Sequence, residues 1–187
     1  MRIPVFLSCI AMAAALAGCA DDIATTARGS SAPAAYVYRL GPDDRVRITV
    51  YGEPTLSGEY AVNTEGRISF PLVGMVKAEG LTLSDLVAEL TTALDASFYK
   101  NPHLVVDMVA YRPIYVLGEV NKAGQYPFQS GMTVLAAIAA AGGFTYRANQ
   151  KTAMIRHNGQ AAEDREPLTA DLIVHPGDTV RIRERLF

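Results

Sequence analysis

The chain has 187 residues, 50% of them hydrophobic and 19% charged, with a formal net charge of −2. That length and apolar fraction suit one or two small packed domains. The near balance of charge excludes the basic surface that draws a protein onto phosphate backbones, so no nucleic-acid partner is expected.

Met1 and Arg2 give a short positive start, Val5 to Leu16 is almost wholly apolar, and Leu16-Ala17-Gly18 precede Cys19. An apolar run of about a dozen residues ending in small side chains is a signal peptide pattern, too short for a relaxed membrane span. Leu16-Ala17-Gly18-Cys19 also resembles the bacterial lipobox. The resemblance implies cleavage between Gly18 and Cys19 and a diacylglycerol on the Cys19 thiol, with acyl chains burying roughly 0.8 kcal/mol per CH₂. It also implies outer-membrane sorting, because Ala20 stands where an inner-membrane retention signal would place aspartate. Cys9 lies inside the leader and would leave with it, so the mature chain is expected to hold no intramolecular disulfide.

Residues 19–35 are rich in Ala, Ser, Thr and Asp and read as a flexible tether, with order beginning near Tyr36. A first unit is expected over residues 36–110. Gly41-Pro42-Asp43-Asp44 is a turn, after which Val46, Ile48 and Val50 alternate with Arg45, Arg47 and Thr49 as in a half-buried strand. Tyr60 and Val62 begin a strand that turns at Asn63 to Gly66 into Ile68, Phe70 and Leu72, predicting a hairpin. Thr82, with Asp85 three residues on, predicts a capping box. Leu83, Leu86, Val87, Leu90 and Leu94 then follow helical spacing, and Asn101-Pro102 ends the segment before a strand over Leu104 to Val109.

The second unit spans residues 111–187. Ile114 to Val120 reads as a strand, Tyr126 and Phe128 lie on the next, and Thr133 caps a helix over Val134 to Ala141 that stops at Gly142-Gly143. Met154 to Arg156, a turn at Asn158-Gly159, the turn His175-Pro176-Gly177-Asp178 and a strand over Thr179 to Arg183 follow. The polar stretch Gln160 to Thr169 reads as a loop. Gly66, Gly124, Gly142 and Gly177 fall where turns or helix ends favour positive φ. The fold class predicted is α+β, as two small mixed modules, the second compatible with a β-grasp layout. No later segment reaches the roughly 18 continuous apolar residues of a spanning helix.

Three stretches carry a family resemblance. Tyr38 to Asp44, Val50-Tyr51-Gly52-Glu53-Pro54 and Leu56 to Tyr60 resemble the opening of the polysaccharide export domain. Gly66 to Gly74, Gly80-Leu81-Thr82 and Asn101-Pro102 continue that pattern in order. Pro113 to Val120, Gly124-Gln125-Tyr126, Met132 to Leu135, Ala141-Gly142-Gly143 and His175 to Val180 resemble the soluble ligand-binding β-grasp module. The resemblance implies a periplasmic lipoprotein of the outer-membrane polysaccharide export family, anchored to the outer membrane through Cys19. It implies a homo-oligomeric ring that handles capsular or exopolysaccharide and faces an inner-membrane chain-length regulator or copolymerase. Long members of the family end in an amphipathic helix that forms a pore. Here the sequence reaches Leu186-Phe187 directly after the closing strand, which points to a separate outer-membrane β-barrel partner.

The residues offer little to an enzyme. His103, His157 and His175 are scattered without partners at a ligand spacing, and neither a cysteine pair nor a Gly-x-Ser-x-Gly elbow occurs. Glu53, Glu59, Glu65 and Glu119 sit beside Gly or in turns, where solvation is the default. No catalytic residue, cofactor or metal is therefore expected. Arg181, Arg183 and Arg185 recur at every second position. They read either as a solvated strand edge or as a positive face at a subunit contact or lumen. Tyr36, Tyr38, Tyr51 and Tyr60 read as half-buried sheet residues, with sugar stacking the sharper alternative. Beside the export conduit, the residues leave open a monomeric periplasmic saccharide-binding or signalling lipoprotein.

Overall fold

The alternation of Val46, Ile48 and Val50 with exposed Arg45, Arg47 and Thr49 makes β1 (Arg45–Val50) the middle of the first sheet. In the computed structural model, which describes residues 36–96 and 99–185, β1 pairs antiparallel on one side with β2 (Gly58–Ala61). On its other side it pairs antiparallel with a later strand, Leu104–Ala110. Between these lie a separate two-stranded ribbon, β3 (Arg67–Phe70) with β4 (Gly74–Lys77), and helix α1 (Leu83–Asp95). The strand Leu104–Ala110 is therefore β5. Leu86, Leu90 and Leu94, one face of α1, close over the sheet with Ile48, Ile68 and Phe70. Each such buried side chain contributes roughly 1.5–3 kcal/mol of transfer free energy.

The capping box at α1 forms as predicted. The Thr82 side chain accepts from the Asp85 amide at 3.1 Å, and the Asp85 carboxylate accepts from the Thr82 amide at 3.1 Å. The predicted hairpin of Tyr60–Val62 with Ile68–Leu72 does not form. The turn closes, with Asn63 Oδ1 taking the amides of Glu65 and Arg67. However, β2 gives its hydrogen bonds to β1, while β3 folds onto β4 through a turn in which Leu72 adopts φ 66°. The sequence hides β4 because Val76 is its single buried residue.

The second module is a five-stranded mixed sheet in the order β7-β6-β10-β8-β9, with one helix packed on it. Its elements are β6 (Ile114–Gly118), β7 (Gly124–Tyr126), α2 (Val134–Ala140), β8 (Thr152–Arg156), β9 (Asp164–Pro167) and β10 (Thr179–Ile182). The last strand slots into the middle, parallel to β6 and antiparallel to β8. That is a β-grasp arrangement, so the fold is α+β, with two mixed modules in the expected order. Val134, Ala137 and Ile138 of α2 cover a core of Ile114, Val116, Ile155, Val180 and Ile182. This core is distinct from that of the first module, although residues from Val37 onward form one compact unit.

Two further expectations are corrected. The stretch Gln160 to Thr169 contains a strand, β9, paired with β8 over Thr152↔Pro167 to Ile155↔Asp164. It is an edge strand with no buried residue, so no apolar alternation betrays it, and its Asp, Arg and Glu side chains suit an unprotected edge. Gly124 does not take a positive φ; it opens β7. Gly118 does, at φ 86°, where the Ile182 carbonyl occupies the place a Cβ would need. That close approach lets the Glu119 amide donate to Ile182 O at 2.9 Å and locks the end of β6 to β10.

Candidate functional site at the junction of the two modules

Each module opens one of its central strands with the same local device. In the first, the turn at Gly41 to Asp44 is closed by the Asp44 amide donating to Gly41 O, and Asp44 Oδ2 accepts the Gly41 amide at 2.8 Å. In the second, the Asp178 amide donates to His175 O, and Asp178 Oδ2 accepts the His175 amide at 2.9 Å. Both carboxylates are buried, Asp44 at 0% exposed and Asp178 at 1%, and each is followed at once by β1 or β10. A buried carboxylate is tolerable only when its lone pairs are filled, and here they are. Asp44 also takes the Tyr38 hydroxyl and, on Oδ1, the Arg112 amide at 2.8 Å. Asp178 also takes the Asn158 amide at 3.3 Å and a ring nitrogen of His157 at 3.0 Å.

The linker between the modules joins these two turns. Arg112 gives its amide to Asp44, and its Nε donates to Pro176 O at 3.1 Å. Its guanidinium lies over the Tyr38 ring, 5.6 Å from the centroid. On the far side of the turn, the Gly177 amide donates to Pro113 O. The aromatic rings form a file across the same place. Tyr38 meets Tyr111 edge-on at 5.0 Å, and Tyr111 meets Phe128 edge-on at 5.3 Å. Tyr38 is thus a junction residue outside any strand, and Tyr36 is 57% exposed; of the four tyrosines only Tyr60, on β2 and packed on Phe70 at 5.1 Å, follows the half-buried sheet reading. Tyr51 instead stands 79% exposed in the turn after β1.

The histidines depart from the sequence reading, which found them scattered and without a common partner. His157 and His175 lie 5.7 Å apart, ring to ring, on either side of Asp178, with ring nitrogens 3.0 and 3.6 Å from the same carboxylate oxygen. The register explains it. Thr179 pairs with Arg156 across β10 and β8, so the next positions outward are Asp178 and His157, while the turn brings His175 back over Asp178. The His-Pro-Gly-Asp turn was a visible signal for one half of the cluster. Antiparallel pairing of β8 with β10, which supplies the other half, left no mark in the sequence.

Gly18 and Cys19 lie outside the described residues. Arg181, Arg183 and Arg185 are all exposed, on β10 and the segment after it. They are interleaved with acids: Arg181 pairs with Glu163, and Arg147, which neighbours this segment, pairs with Glu184 through Nε at 2.7 Å. The Arg185 amide donates to Arg147 O, and Arg183 lines a shallow groove with Asn149, Thr152, Arg165 and Glu184. Among the described residues no helix is long and apolar enough to cross a membrane.

Residues 32–109 match the family described as polysaccharide biosynthesis/export protein, and residues 113–163 match the SLBB domain. The central strand β10 lies beyond the second match, so the sheet extends past the matched residues. Among curated proteins, the chain is 35% identical over 149 residues to the exopolysaccharide production protein ExoF of Rhizobium meliloti, covering 73% of this chain and 34% of that protein. It is 32% identical over 145 residues to the EPS I polysaccharide export outer membrane protein EpsA of Ralstonia nicotianae, covering 72% and 38%. Over 108 residues it is 30% identical to the polysialic acid transport protein KpsD of Escherichia coli, covering 57% and 19%. The chain thus spans little more than a third of the length of the first two relatives. With an export domain followed by an SLBB domain, both folded as independent cores bridged by Arg112, the chain belongs to the polysaccharide biosynthesis/export protein family.

Proposed function

We propose that this chain is a structural component of an envelope machinery that exports a polysaccharide, and that it is a transport component, not an enzyme. The observation that carries the reading is the ordered succession of export domain and SLBB domain, shared with relatives whose names specify exopolysaccharide production, polysaccharide export and polysialic acid transport. In this reading Cys19 carries the lipid, the body faces the periplasm from the outer membrane, and copies close into a ring around the polymer. A head-to-tail interface with rotational closure makes such a hollow, which neither packed core provides within itself. Its partners are the polymer, an inner-membrane chain-length regulator or copolymerase, and an outer-membrane barrel.

Arg181, Arg183 and Arg185 belong, in the same reading, to a subunit contact or the lumen. Arg183 is the informative position, since no ion pair holds its side chain among the described residues. Arg183→Glu should lower export or ring formation while changing stability by no more than about 0.5 kcal/mol.

The deciding experiment deletes the gene and measures surface polymer beside intracellular sugar nucleotides. Loss of surface polymer with precursors intact supports export; normal surface polymer in a strain without a paralogue overturns it. Labelling with a palmitate analogue tests the anchor, since Cys19→Ser should abolish incorporation. Cross-linking in intact cells tests the ring, which monomer alone with export still running would exclude.

A further inference from the structure

We propose that His157, His175 and Asp178 form a binding site for a borderline transition-metal dication, with Zn²⁺ as the representative ion. One ligand atom from each residue lies within 4.8 Å of the other two. The two imidazole Nδ1 atoms approach a single oxygen, Asp178 Oδ2, at 3.0 and 3.6 Å. Ligand atoms about 2.1 Å from a tetrahedral zinc ion stand about 3.4 Å from one another, and the two observed edges bracket that separation.

The site is built before any ion arrives. Asp178 is 1% exposed, and two backbone amides fix its carboxylate, that of His175 on Oδ2 at 2.9 Å and that of Asn158 on Oδ1 at 3.3 Å. His157 is set by the outward continuation of the β8–β10 register, and His175 by the turn itself. Arg112 clamps that turn from behind through Pro176 O. The carboxylate and the backbone of all three ligands are thus held in place before the ion binds.

The donor set selects the ion. Two imidazoles and one carboxylate suit Zn²⁺, Co²⁺, Ni²⁺ or Cu²⁺, whereas Mg²⁺ and Ca²⁺ seek all-oxygen shells. Three protein ligands leave a fourth position, and the histidine side chains are 35% and 31% exposed, so water can reach it. A proton between His157 Nδ1 and Asp178 Oδ2 and a metal ion on the same two atoms are alternatives. On a neutral imidazole, metal binding at Nδ1 therefore shifts the ring to its Nε2–H tautomer, and a proton leaves only from an imidazolium. The ion would tie the end of β8 to the turn before β10, and so brace the centre of the second sheet.

Equilibrium dialysis of the full chain against Zn²⁺, and Co²⁺ absorption spectroscopy, test this directly. The expected results are one equivalent bound, tetrahedral Co²⁺ bands, and a higher thermal midpoint with metal than without. His157→Gln and His175→Gln should each weaken binding at least about tenfold, with the metal-free thermal midpoint reporting that the variant is folded. His103→Gln serves as the neutral control. The Cys9→Ser/Cys19→Ser double variant should retain the equivalent. No bound metal, undiminished affinity in both His157 and His175 variants, or loss of binding in the cysteine variant would each overturn the assignment.

Discussion

Asp44 and Asp178, in modules that share no strand, hold the same position: each accepts the amide of the residue three places upstream and each is the last residue before a central strand. The two turns are then stitched to one another by Arg112, through its amide to Asp44 and its Nε to Pro176 O. The modules thus meet at the points where a central strand of each sheet begins.

Removing the first of these carboxylates should be costly. In Asp44→Ala the Tyr38 hydroxyl and the amides of Gly41 and Arg112 lose their acceptor in a buried place. The expected loss is about 2–4 kcal/mol, read as a lower urea midpoint. Asp178→Ala should shift in the same direction but by less, since its half-exposed imidazole partners can turn to water.

Arg112→Ala tests the stitch between modules. The two cores are separate, so their joint unfolding depends on the linker contacts. The substitution should cost about 1–2 kcal/mol, and calorimetry should show a broader or split endotherm. A single transition as sharp as that of the parent would mean that the remaining contacts suffice.

Gly118→Ala should destabilise by about 2–4 kcal/mol, because it combines a left-handed backbone with a collision against a backbone carbonyl that cannot swing away. Gly52→Ala isolates the first effect. Gly52 has φ 83° but open space around it, so its cost should be nearer 1 kcal/mol. Thermal midpoints of the two variants distinguish clash from strain.

The α1 cap should make a pH-dependent contribution. Hydrogen bonds from the Thr82 side chain and then the Thr82 backbone hold the Asp85 carboxyl below its usual range. A carboxyl depressed in the folded state stabilises above its unfolded pKa, and that contribution is lost as pH falls through the folded value. Asp85→Ala should therefore be less stable than the parent at neutral pH, and the gap should close in acid. Thr82→Ala should cost about 1 kcal/mol at neutral pH.

How much of this was legible in the chain follows from the range of the interactions involved. Val46, Ile48 and Val50, the leucines of α1, the capping box and the turn at His175 to Asp178 are local patterns, and each formed where the pattern placed it. The family resemblance, carried by ordered local motifs, was equally visible. Strands with no buried stripe, β4 and β9, left no periodic signal, because alternation records burial on one face and these have little or none. The pairing of β2 with β1 in place of β3, and the insertion of β10 between β6 and β8, are choices among distant partners that compete for the same backbone hydrogen bonds. That competition is resolved by packing the two cores, not by any run of residues. His157 met Asp178 for that reason alone: strand register carried it across the sheet to a carboxylate that the turn chemistry had already buried.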